Sequence, residues 1–402
     1  FPRGLSAMVQ SLTTWLYDGD PLAPLAWEAP LKALKARIEA GEPVFEQAIK
    51  DWFLNNEHRA TVILLPDAKL GQMRDDAEKA RVDAVQAAAS PAERTRMVEE
   101  TTRLMEAQEA PDSPEALATI PALGLEDLPR ENATIPRAQA ELPETYLTHE
   151  LPTQGIAYTT LLLPLSNVPD RLVPLLPLFT RSLTETGTAK RDFTELGALM
   201  AAKTGGLGAD PLLGLVRGSR KTIGYLSVAG KAVYDKLPDL FALTREILLE
   251  PIQDADVLRE RLRQMLLEGK ARLEHGLQSA GHAAVSSRLR AHFNGASALA
   301  ERTTGLSYLE SVRGLLDRMD ADPQSILDDL EVLRSRIIAR PGAIFDCTAE
   351  AQGLSMVEAE ARQLLRALAP ARAGSESGFG SAPLDLPKGE AFIAPAQINY
   401  VG

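Results

Sequence analysis

The sequence predicts an α+β protein: a set of helices on one face of a single sheet, preceded by a helical hairpin and by the tail of a similar domain. Three observations predict it. Strand-like runs stand at both ends of residues 141–402 with amphipathic helices between them, a charge-dense stretch at 69–110 reads as two helices, and a lone apolar run near residue 60 lacks any strand to pair with. The expected units are 1–68, 69–110, 111–140 and 141–402.

Taken in order, Leu5, Met8, Val9, Leu12, Trp15 and Leu16 recur at helical spacing and stop at Asp18-Gly19-Asp20-Pro21. Leu31, Leu34 and Ile38 mark a second helix, and Phe45, Ala48, Ile49, Trp52 and Phe53 a third. Ala60 to Leu65 reads as a strand apolar on both faces, which needs neighbours in a sheet. Residues 1–70 offer none, so 1–68 is expected to be the end of a larger domain, and Phe1 a cut end.

Residues 69–110 carry the stripes Met73, Ala77, Ala80, Ala84 and Met97, Thr101, Leu104, Met105. Between them, Ser90-Pro91-Ala92-Glu93 combines an N-cap serine, a proline at the first helical position and a capping-box glutamate. An antiparallel hairpin is expected, either a spacer arm or a surface insertion. Pro111, Pro114, Pro121, Pro129, Pro136 and Pro143 then favour an extended connector over 111–140, and with it the spacer.

From residue 141, Tyr146–His149 and Ile156–Leu163 read as two strands joined by the hairpin-like turn Pro152-Thr153-Gln154-Gly155. A helix with Leu172, Leu175, Leu176, Phe179 and Leu183 on its face closes at Glu185-Thr186-Gly187-Thr188. Helices follow at 193–202, 237–249 and 257–277, with more to about 338, and 222–228 has strand character. The last elements expected are a strand at 343–348, a helix at 356–368, a Gly/Ser-rich loop at 373–381 and a strand at 391–398.

Composition narrows the function. With 402 residues and 45% hydrophobic content the chain can bury a large core. A net charge of −12 from 43 Lys+Arg and 55 Asp+Glu argues against nucleic acid, and reads either as steering of basic peptides or as solubility charge. No run approaches the roughly 20 apolar residues that cross a bilayer. The single cysteine, Cys347, lies in the apolar run Ala343–Cys347 with no histidine beside it, and reads as a buried, inert thiol in a reducing compartment.

The residues for chemistry do not assemble. Zinc peptidases with H-E-x-x-H or H-x-x-E-H need two histidines on one helix face, and His58, His149, His275, His282 and His292 contain no such pair. His275 and His282 would lie about 10 Å apart along a helix, too far for one ion. Gly230-Lys231 and Gly269-Lys270 lack the remainder of a phosphate loop, and Gly205-Gly206-Leu207-Gly208 reads as a turn or close backbone approach. Gly305-Leu306-Ser307-Tyr308-Leu309 lacks the last glycine of a nucleophile elbow, leaving Ser307 as a helix N-cap. No catalytic, cofactor-binding or metal-binding residue is expected in this chain.

A resemblance goes further. Pro2-Arg3-Gly4-Leu5, Trp15-Leu16-Tyr17-Asp18-Gly19-Asp20-Pro21, Asn56-Glu57-His58-Arg59, Thr184-Glu185-Thr186-Gly187-Thr188, Lys203-Thr204-Gly205-Gly206, Gly281-His282, Gly305 to Glu310 and Pro395 to Gly402 stand in order along the chain. This pattern resembles the presequence-protease branch of the pitrilysin-insulinase superfamily of zinc metallopeptidases. The resemblance implies four related α+β domains, two on each side of a helical hairpin, closing around a peptide chamber. Zinc is then held by the first domain, and a tyrosine and an arginine of the fourth assist at the substrate. This chain would supply the end of the second domain, the hairpin and the third domain.

On the same resemblance, Leu178-Phe179-Thr180-Arg181-Ser182 occupies the place of the zinc helix, with Leu178, Arg181 and Ser182 where histidine, glutamate and histidine would stand. The expected function is therefore the central, non-catalytic segment of a zinc metalloendopeptidase that degrades unstructured peptides. The expected partners are those peptides and the missing N- and C-terminal domains; zinc belongs to the full-length protein. A non-catalytic structural or peptide-binding relative is the alternative. An Ala-, Leu- and Arg-rich composition points to a bacterial, cytoplasmic protein.

Overall fold

The structure is a computed structural model that describes residues 3–141, 144–370, 379–380, 382–387, 389–393 and 399–402. It divides into two compact units, Phe1–Asp127 and Leu128–Gly402.

In the first unit the apolar periodicities form helices, and none of these buries a residue. The helices are α1 (Arg3–Trp15), α2 (Glu28–Glu39) and α3 (Val44–Ile49), which runs into a π-helical turn at Lys50–Leu54. Trp15, Trp52 and Phe53 are 63%, 75% and 71% exposed, so these stripes have no covering element within the unit. The expected strand over 60–65 does not form. Val62 to Leu65 are coil, exposed by 78% or more, because a strand needs a partner and the described residues of the unit supply none.

Helices α4 (Leu70–Ala88) and α5 (Pro91–Glu109) occupy the predicted positions, joined by Ala89 and Ser90. The capping box is made in both directions: Glu93 N–H donates to Ser90 Oγ at 3.3 Å and Ser90 N–H to Glu93 Oε2 at 2.8 Å. Past it, Ser113 caps the single turn α6 (Pro114–Leu117).

The second unit is a six-stranded mixed sheet in the order β1-β2-β6-β3-β5-β4. The strands are β1 (Ala138–Glu141), β2 (Thr145–Glu150), β3 (Ile156–Pro164), β4 (Leu207–Leu215), β5 (Thr222–Val233) and β6 (Ile344–Ala349). Two of them, β1 and β4, were not legible: β1 falls in the proline-rich connector, and β4 carries Gly208, Pro211 and Gly214. Both are edge strands, where a proline need not donate to a ladder.

The expected β2–β3 hairpin is corrected by the structure. Strand β6 lies between the two, parallel to β2 and antiparallel to β3. The connecting loop instead passes over the end of β6, where Glu350 accepts from the backbone N–H of Gln154 and Gly155 at 3.0 and 3.3 Å and from Tyr234 Oη at 2.9 Å. Both turn residues have positive φ, 57° at Gln154 and 79° at Gly155.

Helices α7 (Leu176–Glu185), α8 (Phe193–Lys203), α9 (Leu237–Leu249), α10 (Ala255–Arg290), α11 (Gly295–Thr304), α12 (Leu306–Ala321), α13 (Pro323–Ile337) and α14 (Ala351–Ala367) complete the unit. Along β3, Ala157, Thr159, Leu161 and Leu163 are buried, whereas Tyr158, 42% exposed, points the other way. One sheet face therefore carries the core, as predicted, and the other is open. Phe345 on β6 anchors that core between Phe241 and Tyr146, with ring centroids 5.9 and 6.0 Å away. The expected loop at 373–381 falls largely outside the described residues, as does 394–398 of the expected last strand; its first residues, 391–393, are not strand.

Candidate functional site

On the open face of the sheet the second unit brings distant residues into register. Across it run Thr145, Ile344, Leu162 and Ser227, then Leu147, Asp346 and Thr160, then His149, Thr348, Tyr158 and Lys231. Ile344, Leu162 and Leu147 thus lie beside the polar His149, Asp346 and Lys231. His149 sits between two acceptors, with Nδ1 2.9 Å from the Pro136 carbonyl and Nε2 2.9 Å from Asp346 Oδ2. A neutral ring donates to one of them, and the imidazolium to both. Lys231 Nζ lies 6.0 Å from the Tyr158 ring centroid. Sequence reasoning missed this group because His149 and Asp346 are 197 residues apart and meet only when β6 inserts beside β2.

This face can hold an extended chain by apolar contact and by charge. Among the described residues no group of three His, Cys, Asp or Glu side chains converges on a common point.

The helix likened to a zinc helix is α7. Leu178 and Ser182 are buried, and Ser182 Oγ donates to the Phe179 carbonyl at 2.7 Å. Arg181 is locked: it donates to Glu185 Oε2 at 2.6 Å, to Glu268 Oε2 at 3.0 Å and to the Met265 carbonyl at 3.1 Å. Its hydrogen bond to Glu185 raises the guanidinium above its ordinary value, and Arg181 in turn holds Glu268 below the usual carboxylate range. A fixed cation occupies the spot, and its two carboxylates are engaged with it and not free as ligands.

The turn after α7 shows what Thr-Gly-Thr is for. Gly187 has φ 90°, and a Cβ there would lie 2.6 Å from the Arg191 carbonyl oxygen. Thr188 Oγ1 donates to buried Glu246 at 2.7 Å, and Arg191 pairs with the same carboxylate. Burial pushes Glu246 up, but the bonds from Arg191 and Thr188 outweigh it and hold the group below the usual range. Asp329, buried between Arg171 and Arg318, is held down in the same way against its own desolvation.

Carboxylates depressed in the folded state contribute stability at neutral pH that is lost as pH falls through their folded values. The second unit is thus expected to melt at progressively lower temperature below about pH 4. Asp329→Asn should lower the melting temperature at pH 7 and flatten the acid limb. An acid limb as steep in the variant as in the wild type would remove Asp329 from this account.

The other sequence candidates are accounted for locally. Cys347 is fully buried on β6, and burial pushes its thiol up to about 12, which keeps it inert. His275 and His282 both lie on α10, which is non-helical at Ala280 between them. Gly281 at that kink receives the ring of Tyr400, so a Cβ there would come within 2.3 Å of it. Gly205 packs against Lys231, and Gly206 has φ 134°, a turn leading into β4. Ser307 is not an N-cap: it lies within the first turn of α12, where its N–H donates to Glu301 Oε1 at 3.2 Å and its Oγ accepts from Arg288 at 2.6 Å.

Residues 64–315 match the family of domains associated with peptidase M16, subfamily C. The chain is 36% identical over its whole length to presequence protease 1, chloroplastic/mitochondrial, of Arabidopsis thaliana, and covers 37% of that protein. It is 27% identical over 84% of its length to protein HypA of Clostridium perfringens, covering 34% of it. The chain thus spans about a third of the length of these relatives. A crystal structure described as the peptidase M16 inactive domain from Pseudomonas fluorescens aligns with 60% of this chain and 53% of its own, at TM-score 0.39 and 20% identity. With that family match spanning most of the chain, and with one relative 36% identical over its whole length, the chain belongs to the associated-domain family of peptidase M16, subfamily C, in its presequence-protease branch.

Proposed function

We propose that this chain is the central, non-catalytic segment of a zinc metalloendopeptidase that degrades unstructured peptides. The observation that carries the reading is the collinear 36% identity of the entire chain to 37% of a presequence protease. On this reading residues 1–68 complete a domain begun upstream, 69–110 form the hairpin linker, 111–140 the connector and 141–402 a domain that lines the peptide chamber. The uncovered apolar faces of α1 to α3 support the first assignment, since exposed apolar surface of this extent marks an interface.

The open sheet face is the chamber wall in this proposal, and enclosure between domains limits substrates to unfolded peptides. Zinc belongs to a domain outside this chain. The α7 residues do not fit the ion, because leucine has no donor atom, the Ser182 hydroxyl is committed and Arg181 is cationic. Among the described residues no helix is long and apolar enough to cross a membrane, and the lone buried Cys347 suits a reducing, cytoplasmic setting.

The test is zinc content and cleavage of an unstructured peptide by the 402-residue chain, beside the full-length polypeptide from the same source. A zinc-free, inactive chain and a zinc-bound, active full-length protein are expected. Stoichiometric zinc and cleavage in the isolated chain would overturn the placement of the active site. Loss of both in the full-length protein would make this a non-catalytic relative.

A further inference from the structure

On the helical side of the sheet, the chain after α14 returns to the seam between the start of β5 and the first turns of α11. The Phe379 ring lies against Gly224 of β5, next to Leu213 of β4, and Gly380 lies among Thr222, Gly295 and Leu299. Gly224 stands inside a strand and Gly295 opens a helix, and neither has the positive φ that calls for glycine. Space calls for it instead: a Cβ on Gly224 would overlap the Phe379 ring, and one on Gly295 the Gly380 carbonyl oxygen. Gly380 itself has φ 61°, and a Cβ there would overlap Leu299.

The same segment is held again further along. Leu384 N–H donates at 3.0 Å to the carbonyl of Ala291, the C-cap of α10, where a helix end leaves acceptors free. Arg288 takes Glu390 with both arms of its fork, Nη2 to Oε1 at 2.6 Å and Nε to Oε2 at 2.7 Å, and so holds that carboxylate below the usual range. The Phe392 ring centroid lies 5.7 Å from the same guanidinium carbon. An aromatic anchor in a tight cradle, a backbone bond and a bidentate grip on a carboxylate are the means by which folded domains hold extended peptides.

We infer that this seam is a peptide-docking groove whose resident occupant is the chain's own segment 379–392, and that a free peptide with the same aromatic-glycine anchor and downstream carboxylate exchanges with it. Phe379 and Gly380 fill the cradle, Leu384 pairs with the end of α10, and Glu390 meets Arg288. Tethering on the same chain raises the occupant's local concentration to the order of millimolar, so the groove stays closed to outside peptides while the anchor is seated. The groove lies on the opposite side of the sheet from the open face, and the inference is independent of the proposed peptidase role.

The probe is a fluorescently labelled peptide with the sequence of residues 379–392, titrated into the 402-residue chain and followed by polarisation. Phe379→Ala unseats the resident anchor, so this variant is expected to bind the peptide at least about tenfold more tightly than the wild type. The peptide with alanine in place of its first phenylalanine should bind about tenfold more weakly, and so should the peptide with glutamine in place of its glutamate, which loses a charge-assisted pair. The Leu384 amide reports occupancy in the chain itself. It should be protected from hydrogen exchange in the wild type and exchange about tenfold faster in Phe379→Ala, with the β3 amides unchanged. Gly224→Ala fills the cradle and should both release the segment and block the peptide. Should that variant fail to fold, Glu390→Gln loosens the segment from its far end with the cradle intact, and about threefold faster Leu384 exchange is expected. No peptide binding by Phe379→Ala, equal binding by the wild type and that variant, equal binding of the alanine peptide, or a freely exchanging Leu384 amide in the wild type would overturn the inference.

Discussion

Glu301→Ala is expected to destabilise the second unit by about 3–5 kcal/mol, the cost of breaking a buried pair from one side. The Glu301 carboxylate is fully buried at the junction of α10, α11 and α12, where it accepts from Ser287 Oγ at 2.6 Å, Ser307 N–H at 3.2 Å and Arg288 Nη1 at 3.4 Å. Removing it strands those donors away from water. Gly305 is part of the same device, because a Cβ there would lie 1.9 Å from Glu301 Oε2. Arg288 keeps its bond to Glu390 at 2.6 Å, which places the expected loss toward the lower end of the range.

Glu301→Gln retains an acceptor and should cost less than half as much. The probe matters, since Trp15, Trp27 and Trp52 all lie in the first unit and tryptophan fluorescence does not see this event. Hydrogen exchange of β3 and β5 amides in urea reads it directly. A shift under about 0.5 kcal/mol would show that the network is surface-like in its energetics.

Phe345→Ala should cost about 3–5 kcal/mol by opening a cavity in the centre of the core. The ring is 2% exposed, stacked at 21° on Phe241 and tilted at 39° on Tyr146. Tyr146 cannot collapse into the gap easily, since the parallel register of β2 and β6 fixes its strand. Phe345→Leu keeps most of the volume and should cost under about 1.5 kcal/mol. Denaturation followed by far-UV circular dichroism separates the two variants. Equal losses would mean that ring stacking, and not volume, decides the cost.

Much of the fold was legible because its signals are local. The α5 capping box needs only Ser90 and Glu93, and the α7 face needs only its own periodicity and the Gly187 stop. The strands β3 and β6 were visible as strand-like runs, and Cys347 as a buried residue. What failed was pairing. The loop Pro152–Gly155 has the composition of a hairpin turn, yet β6 takes the place beside β3, a choice made by a segment almost half the chain downstream. Edge strand β4 was invisible because Gly208, Pro211 and Gly214 break the pattern that marks a strand, and β1 because its four residues, AQAE, carry no β-branched or large apolar side chain. The strand at 60–65 had the right pattern and no partner.

The same division holds for function. By itself the sequence determined the α+β class, the two helices of the 69–110 stretch, the family and the absence of a histidine pair at zinc-peptidase spacing, since residue identity and short spacing settle each of these. Only the tertiary structure decided that Arg181 is caught between Glu185 and Glu268, that His149 meets Asp346 on the open face, and that Glu301 is buried against Ser287, Arg288 and the Ser307 N–H. Each of those depends on which distant elements become neighbours. That choice follows from burying one sheet face and pairing backbone groups across the whole unit, an energy no local window of sequence contains.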